Sequence, residues 1–214
     1  MTRTREDSYL PALDKAAQHL AQQEPYETAF KAGCDYDPVA AHIIVPYWGQ
    51  PLYVTLAPVA IRRGDGPAPD VTSQLLTLHY LIQADGAPPG DRWIAFRELP
   101  DARVYDPAFQ GRSSVRIVQE FGNDEHGLAL ASAQLGGERL TFGDMSFMFR
   151  AFPRARLALV FHRGDEEFPP AAQVLFDASV GHYLPTEDLA VLGGVLATEL
   201  VRANRHAKSA TGSP

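Results

Sequence analysis

Residues 154–203 constrain the fold more than any other stretch: RARLALVFHRGDEEFPPAAQVLFDASVGHYLPTEDLAVLGGVLATELVRA. Two apolar runs, 157–161 and 172–176, are short enough to be strands and bracket the acidic turn Asp165-Glu166-Glu167. An amphipathic helix follows from near Thr186, with Glu187 and Asp188 in its first turn and Arg202 and Arg205 at its end, as the helix dipole favours. Such a unit must bury both strands and one helix face, which forces strands and helices to share a core. Gly193-Gly194 in mid-helix costs roughly 1 kcal/mol per glycine relative to alanine. The expectation is that both glycines lie close against the sheet formed by 157–161 and 172–176.

The rest of the chain supplies more of both elements. Helical spacing marks residues 8–22, with Ser8 as a cap, and residues 26–32, stopped by Gly33. Runs 42–47, 52–57 and 59–62 are rich in β-branched and aromatic residues and read as a meander. A surface loop, 62–70, precedes a helix over 71–84 capped by Asp70, with Leu75, Leu78 and Ile82 as its stripe. Trp93-Ile94-Ala95-Phe96 reads as a strand. Residues 97–111 read as irregular, anchored by Tyr105 and Phe109, and helices follow at 112–121 and 125–135. Alternation over 145–152 gives a strand antiparallel to the two of the opening unit. The expected fold is α+β: a single domain over 1–205, mainly an antiparallel sheet with packed helices and a C-terminal amphipathic helix, then a disordered tail, 206–214.

Composition removes several classes of function. Net charge is −7, from 19 basic and 26 acidic residues, against a broad nucleic-acid surface. No run approaches the ~18 apolar residues of a membrane span, and no apolar leader segment is visible, so no membrane partner and a cytoplasmic location are expected. Lys15, Lys31 and Lys208 are the only lysines, which argues against a Schiff-base or phosphate-loop lysine in the body of the domain. Cys34 is the only cysteine, so neither a self-contained iron–sulfur cluster nor a thiolate zinc site is possible. Acids beside Cys34 raise its pKa and argue against a nucleophile.

The side chains left with chemistry are few, and each has a structural reading beside the functional one. Asp165, Glu166 and Glu167 form either a solvated hairpin loop or oxygen ligands for a hard cation, held in place by Phe168-Pro169-Pro170. Asp177 and His182 serve as metal ligands, or as a base with its orienting partner, unless Asp177 only satisfies turn N–H groups. The metal set is then Asp165, Glu167, Asp177 and His182. Trp93, Arg97 and Glu98 belong to a ligand surface, or Arg97 and Glu98 pair with each other. His162 pairs with the acidic turn. His79, among leucines, reads as a buried core histidine.

Seven pieces in order, LLTLHYL (75–81), WIAFRELP (93–100) with Tyr105 and Phe109 after it, AQLGG (133–137), FPRARLAL (152–159), GDEEFP (164–169), VLFDAS (174–179) and YLPTED (183–188), resemble an uncharacterised bacterial family, domain of unknown function 3786. The resemblance covers residues 9–200, and no single piece is diagnostic. It implies no established activity. It does imply a setting in anaerobic bacteria, where some members are joined to iron–sulfur segments. With one cysteine, this chain would depend on a partner for any redox association. The shared pieces include His79, Trp93, Arg97, Glu98, Asp165, Glu167, Phe168 and Asp177. Two functions follow: a non-catalytic binding or accessory module for a small ligand or a protein partner in anaerobic metabolism, or a metal-dependent enzyme built on the carboxylate/His cluster.

Overall fold

The structure, a computed structural model, describes residues 9–64, 66–90 and 92–211, the last two through their backbone alone. The fold is α+β, with two antiparallel sheets and a long C-terminal helix. The residues fall into two compact units. The first runs up to Pro89 and takes in Phe152–Ala155 and Ser179–Leu184; the second holds Gly90–Ala151, Arg156–Ala178 and the chain from Pro185.

In the first unit, α1 (Leu10–Leu20) buries Ala16 and Leu20, while Leu10 stays 46% exposed. Its N-cap is Tyr9; the expected cap Ser8 lies outside the described residues. In α2 (Pro25–Ala32) the Glu24 side chain accepts the Glu27 N–H, and Gly33 closes the helix at φ 67°. Strands β1 (Asp35–Asp37), β2 (His42–Tyr47), β3 (Gln50–Leu56) and β4 (Val59–Arg62) form a meander in that order. β1 was not expected, because three residues give no readable alternation. Helix α3 (Val71–Gln83) starts where Asp70 accepts the Ser73 N–H, and it buries Leu75, Leu76, Leu78 and Leu81. Tyr80 on α3 is fully buried and stacks on Phe152 at 4.3 Å, with Tyr183 5.7 Å away. Its hydroxyl donates to Ala32 O and accepts from Arg154 N, so the buried oxygen is satisfied on both sides. His79 is half-buried rather than buried, and Ile82 likewise: the stripe turns toward Tyr80.

The second unit begins with β5 (Trp93–Ala95) and two 3₁₀ turns, Phe96–Glu98 and Ala102–Val104. Helices α4 (Asp106–Arg112), α5 (Ser114–Phe121) and α6 (Glu125–Gln134) follow. The segment expected to be irregular is thus largely helical, and the break lies at Ser113. There the hydroxyl donates to Phe109 O at 2.7 Å and diverts the backbone between helices. Phe109 is an anchor as expected, stacked on Phe96 at 4.2 Å, but Tyr105 is 55% exposed. The sheet runs β5-β9-β8-β7-β6, built from β6 (Glu138–Arg139), β7 (Met145–Phe152), β8 (Ala155–His162) and β9 (Ala171–Asp177). Helix α7 (Thr186–Thr211) continues past the expected end near Arg205. Lys208 pairs with Asp124 at 2.8 Å and Asn204 donates to Glu120, which tie its last turns to α5 and the start of α6.

The mid-helix glycines of α7 do not lie against β8 and β9. Gly193 faces α4: a Cβ there would sit 2.4 Å from Phe109 Cε2, whereas at Gly194 the nearest atom is Arg112 Cβ at 3.7 Å. The two positions should therefore respond oppositely to alanine. Gly193→Ala should destabilise by about 1–3 kcal/mol through overpacking. Gly194→Ala should stabilise by up to about 1 kcal/mol through helix propensity. Urea unfolding of the two variants checks both signs.

Candidate functional site

The residues singled out in the sequence separate into three places. The first is the eight-residue loop, 163–170, between β8 and β9. Asp165 Oδ1 accepts the Glu167 N–H at 2.8 Å and the Phe168 N–H at 2.7 Å, and the Asp165 N–H donates to Phe168 O. The turn is closed by its own carboxylate, as aspartate often does in loops. The two N–H groups, Phe168 first, hold the Asp165 carboxyl below its ordinary range. Gly164 is required where it stands, since a Cβ would fall 2.7 Å from Pro170 Cδ. Arg163 pairs with Glu125 at 2.8 Å, and its N–H donates to Asp144. Asp165 is therefore compensated by backbone rather than by arginine. Glu166 and Glu167 are exposed, and Phe168 stands 65% exposed beside them. A wide depression of about 840 Å³ runs from this loop to Gly122, Asn123 and Glu125.

Asp177 is at the other end of β9. Seven residues at about 3.3 Å each set it roughly 20 Å from the acidic turn. It is 1% exposed, and both Nε and Nη2 of Arg156 donate to its Oδ2, Nε at 3.0 Å. The Gly90 N–H donates to Oδ1, while Arg156 Nη2 also donates to Gly90 O. Trp93 is the register partner of Asp177, and its ring lies 5.9 Å from Arg156 Cζ. Arg156 was missed in the sequence. The signal was there: Arg156 directly precedes the apolar run 157–161, and Asp177 directly follows the run 172–176. Arg97 is exposed, and Glu98 does not pair with it: Glu98 accepts the Ala95 N–H and caps a 3₁₀ turn.

In the first unit, His182 does have a carboxylate partner, but it is Asp85, at 2.6 Å from Nδ1, with both side chains about half exposed. Asp85 also accepts the Ala87 N–H, and its carboxyl is lowered by the bond to His182 first and by Ala87 next. Tyr183 and Arg154 both donate to Ala87 O, which fixes the same turn. The Cys34 thiol is pushed up to about 12 by burial, with Asp35 adding to it, so it stays protonated near neutral pH. His162 approaches Asp144, at 4.0 Å, rather than the acidic turn.

Asp165, Glu167, Asp177 and His182 are thus not assembled into one shell. Among the described residues no group of three or more His, Cys, Asp or Glu side chains is placed to hold a metal ion. No helix among them is long and apolar enough to cross a membrane.

The buried pair gives a sharp prediction. Asp177→Ala leaves Arg156 buried without its counter-charge and should cost about 3–5 kcal/mol. Exchanging both partners, Asp177→Leu with Arg156→Met, should cost clearly less than the single change. Equal losses in chemical denaturation would mean that packing, not charge, holds this corner.

Searches of curated proteins and of solved structures returned no match. The chain does match a family model, described as Domain of unknown function (DUF3786), over residues 24–199. The chain belongs to that family.

Proposed function

We propose that this protein is a non-catalytic binding module whose contact surface is the 163–170 loop and the depression beside it. The observation that carries the reading is Phe168, a large apolar side chain 65% exposed on a turn pinned by Asp165 and followed by Pro169-Pro170. An exposed aromatic on a backbone already held in place is a ready anchor for association, because little loop entropy is left to lose on binding. Glu166 and Glu167 are exposed beside it and outside every ion pair among the described residues, a charge that selects a cationic partner and steers its approach. The occupant that fits is a basic segment of another protein with an apolar residue for Phe168. A cytoplasmic setting goes with this proposal.

The other charged groups support the same choice. Asp177 is committed to Arg156 and His182 to Asp85, and the Cys34 thiol is not ionised near neutrality. A metal-dependent enzyme would need several of these groups around one ion.

Titration of the ¹⁵N-labelled protein with an arginine-rich decapeptide carrying one leucine tests the proposal. The amides of 163–168, Asn123 and Glu125 should shift, and Glu166→Lys with Glu167→Lys should weaken binding roughly tenfold or more. Phe168→Ala should do the same without lowering the melting temperature. Absence of shifts at millimolar peptide, or shifts confined to other elements, would overturn it. A rise in melting temperature with millimolar Mg²⁺, Mn²⁺ or Ca²⁺ would favour metal binding in its place.

A further inference from the structure

The outer face of the four-stranded sheet carries a pattern that the binding loop does not explain. Cross-strand register lines up Asp35 with Ile44, Ile44 with Tyr53, and Tyr53 with Arg62, a single transverse row over all four strands. Directly opposed residues share a face. The adjacent row, Tyr36-Ile43-Val54-Ile61, points the other way, and Ile43, Val54 and Ile61 are buried at 0, 0 and 5%. The first row therefore faces out. Its ends, Asp35 and Arg62, are exposed, and Ile44 and Tyr53 between them are half-buried. The Tyr53 ring is steadied edge-on by His42 at 4.9 Å. Neither Asp35 nor Arg62 takes part in an ion pair among the described residues.

We infer that this face binds a second copy of the same chain. The row reads acid, aliphatic, aromatic, base, so it complements its own reverse. A two-fold axis parallel to the strands, between β2 and β3, lays β1 of one copy over β4 of the other. Asp35 then meets the second Arg62 twice, once at each end, and Ile44 packs on the second Tyr53. The other face-to-face two-fold, perpendicular to the strands, sets Asp35 against Asp35 and is repulsive. Charge thus selects one of the two arrangements.

Size sets the strength. The strands hold three, six, seven and four residues, which at about 3.3 Å by 4.8 Å per residue give a footprint of roughly 320 Å² per copy. That is below the size of stable interfaces, so the dimer should be weak and transient, forming in the range of hundreds of micromolar. The inference is independent of the 163–170 loop, and variants of that loop should leave it unchanged.

Sedimentation equilibrium of the full chain, over about 5–500 µM at low salt, reads the result. Wild type should show a reversible monomer–dimer equilibrium that weakens as salt is raised. Arg62→Glu and Asp35→Arg should each weaken dimerisation at least tenfold, because the two-fold repeats each change. The double variant Asp35→Arg with Arg62→Glu should recover it, since the swapped row is again self-complementary. Tyr53→Ser should weaken all of them, and circular dichroism checks that each variant folds. A wild type that stays monomeric over the whole range would overturn the inference, whether the face is bare or reserved for a different protein. So would a dimer that tolerates the single reversals, or one that the double swap fails to restore.

Discussion

A carboxylate that is 1% exposed must meet a cation or give up its charge, and at the end of β9 that cation is Arg156. Much of the second unit's geometry follows from meeting this demand. Arg156 reaches Asp177 because the two strands are neighbours in register, and its second nitrogen is occupied by Gly90 O. Gly90 returns its N–H to the same carboxylate, which fixes the chain just before β5. Trp93 then enters β5 opposite Asp177 and spreads its ring near the guanidinium. An aspartate, an arginine, a glycine backbone and an indole thus become one closed structural unit.

The same strand carries the opposite solution at its other end. Asp165 is exposed, so water already supports its charge, and the carboxylate is used instead to close its own turn. Two aspartates in one hairpin therefore do unrelated work. One is neutralised to hold the sheet edge, while the other stays charged and stiffens a loop that presents Phe168 and two glutamates. The difference lies in burial, not in residue type.

That difference explains how far the sequence could be read. The strands β7, β8 and β9, the helices α2 and α3 and the amphipathic α7 were legible because their periods are long enough to repeat. The strands form two sheets, a partition that periodicity does not encode. The break at Ser113 escaped, because one hydroxyl back-bond leaves no pattern. Gly193 was rightly read as a close approach, but the surface approached was Phe109 on α4, and sequence does not say which element arrives. The site fared similarly. Asp165, Glu167, Asp177 and His182 were recognisable as chemistry-bearing residues. Grouping them failed because distance along a strand separates what proximity in the sequence joins: Asp177 is close to His182 in sequence, yet His182 turns to Asp85.

The central claim is that the 163–170 loop is pre-organised rather than a floppy acidic hairpin. Backbone ¹⁵N relaxation of the free protein tests it directly. The account predicts order parameters of about 0.85 at Glu167 and Phe168, equal to those of the flanking strands. Values below about 0.6 there would show that Asp165 does not hold the turn, and would contradict the account.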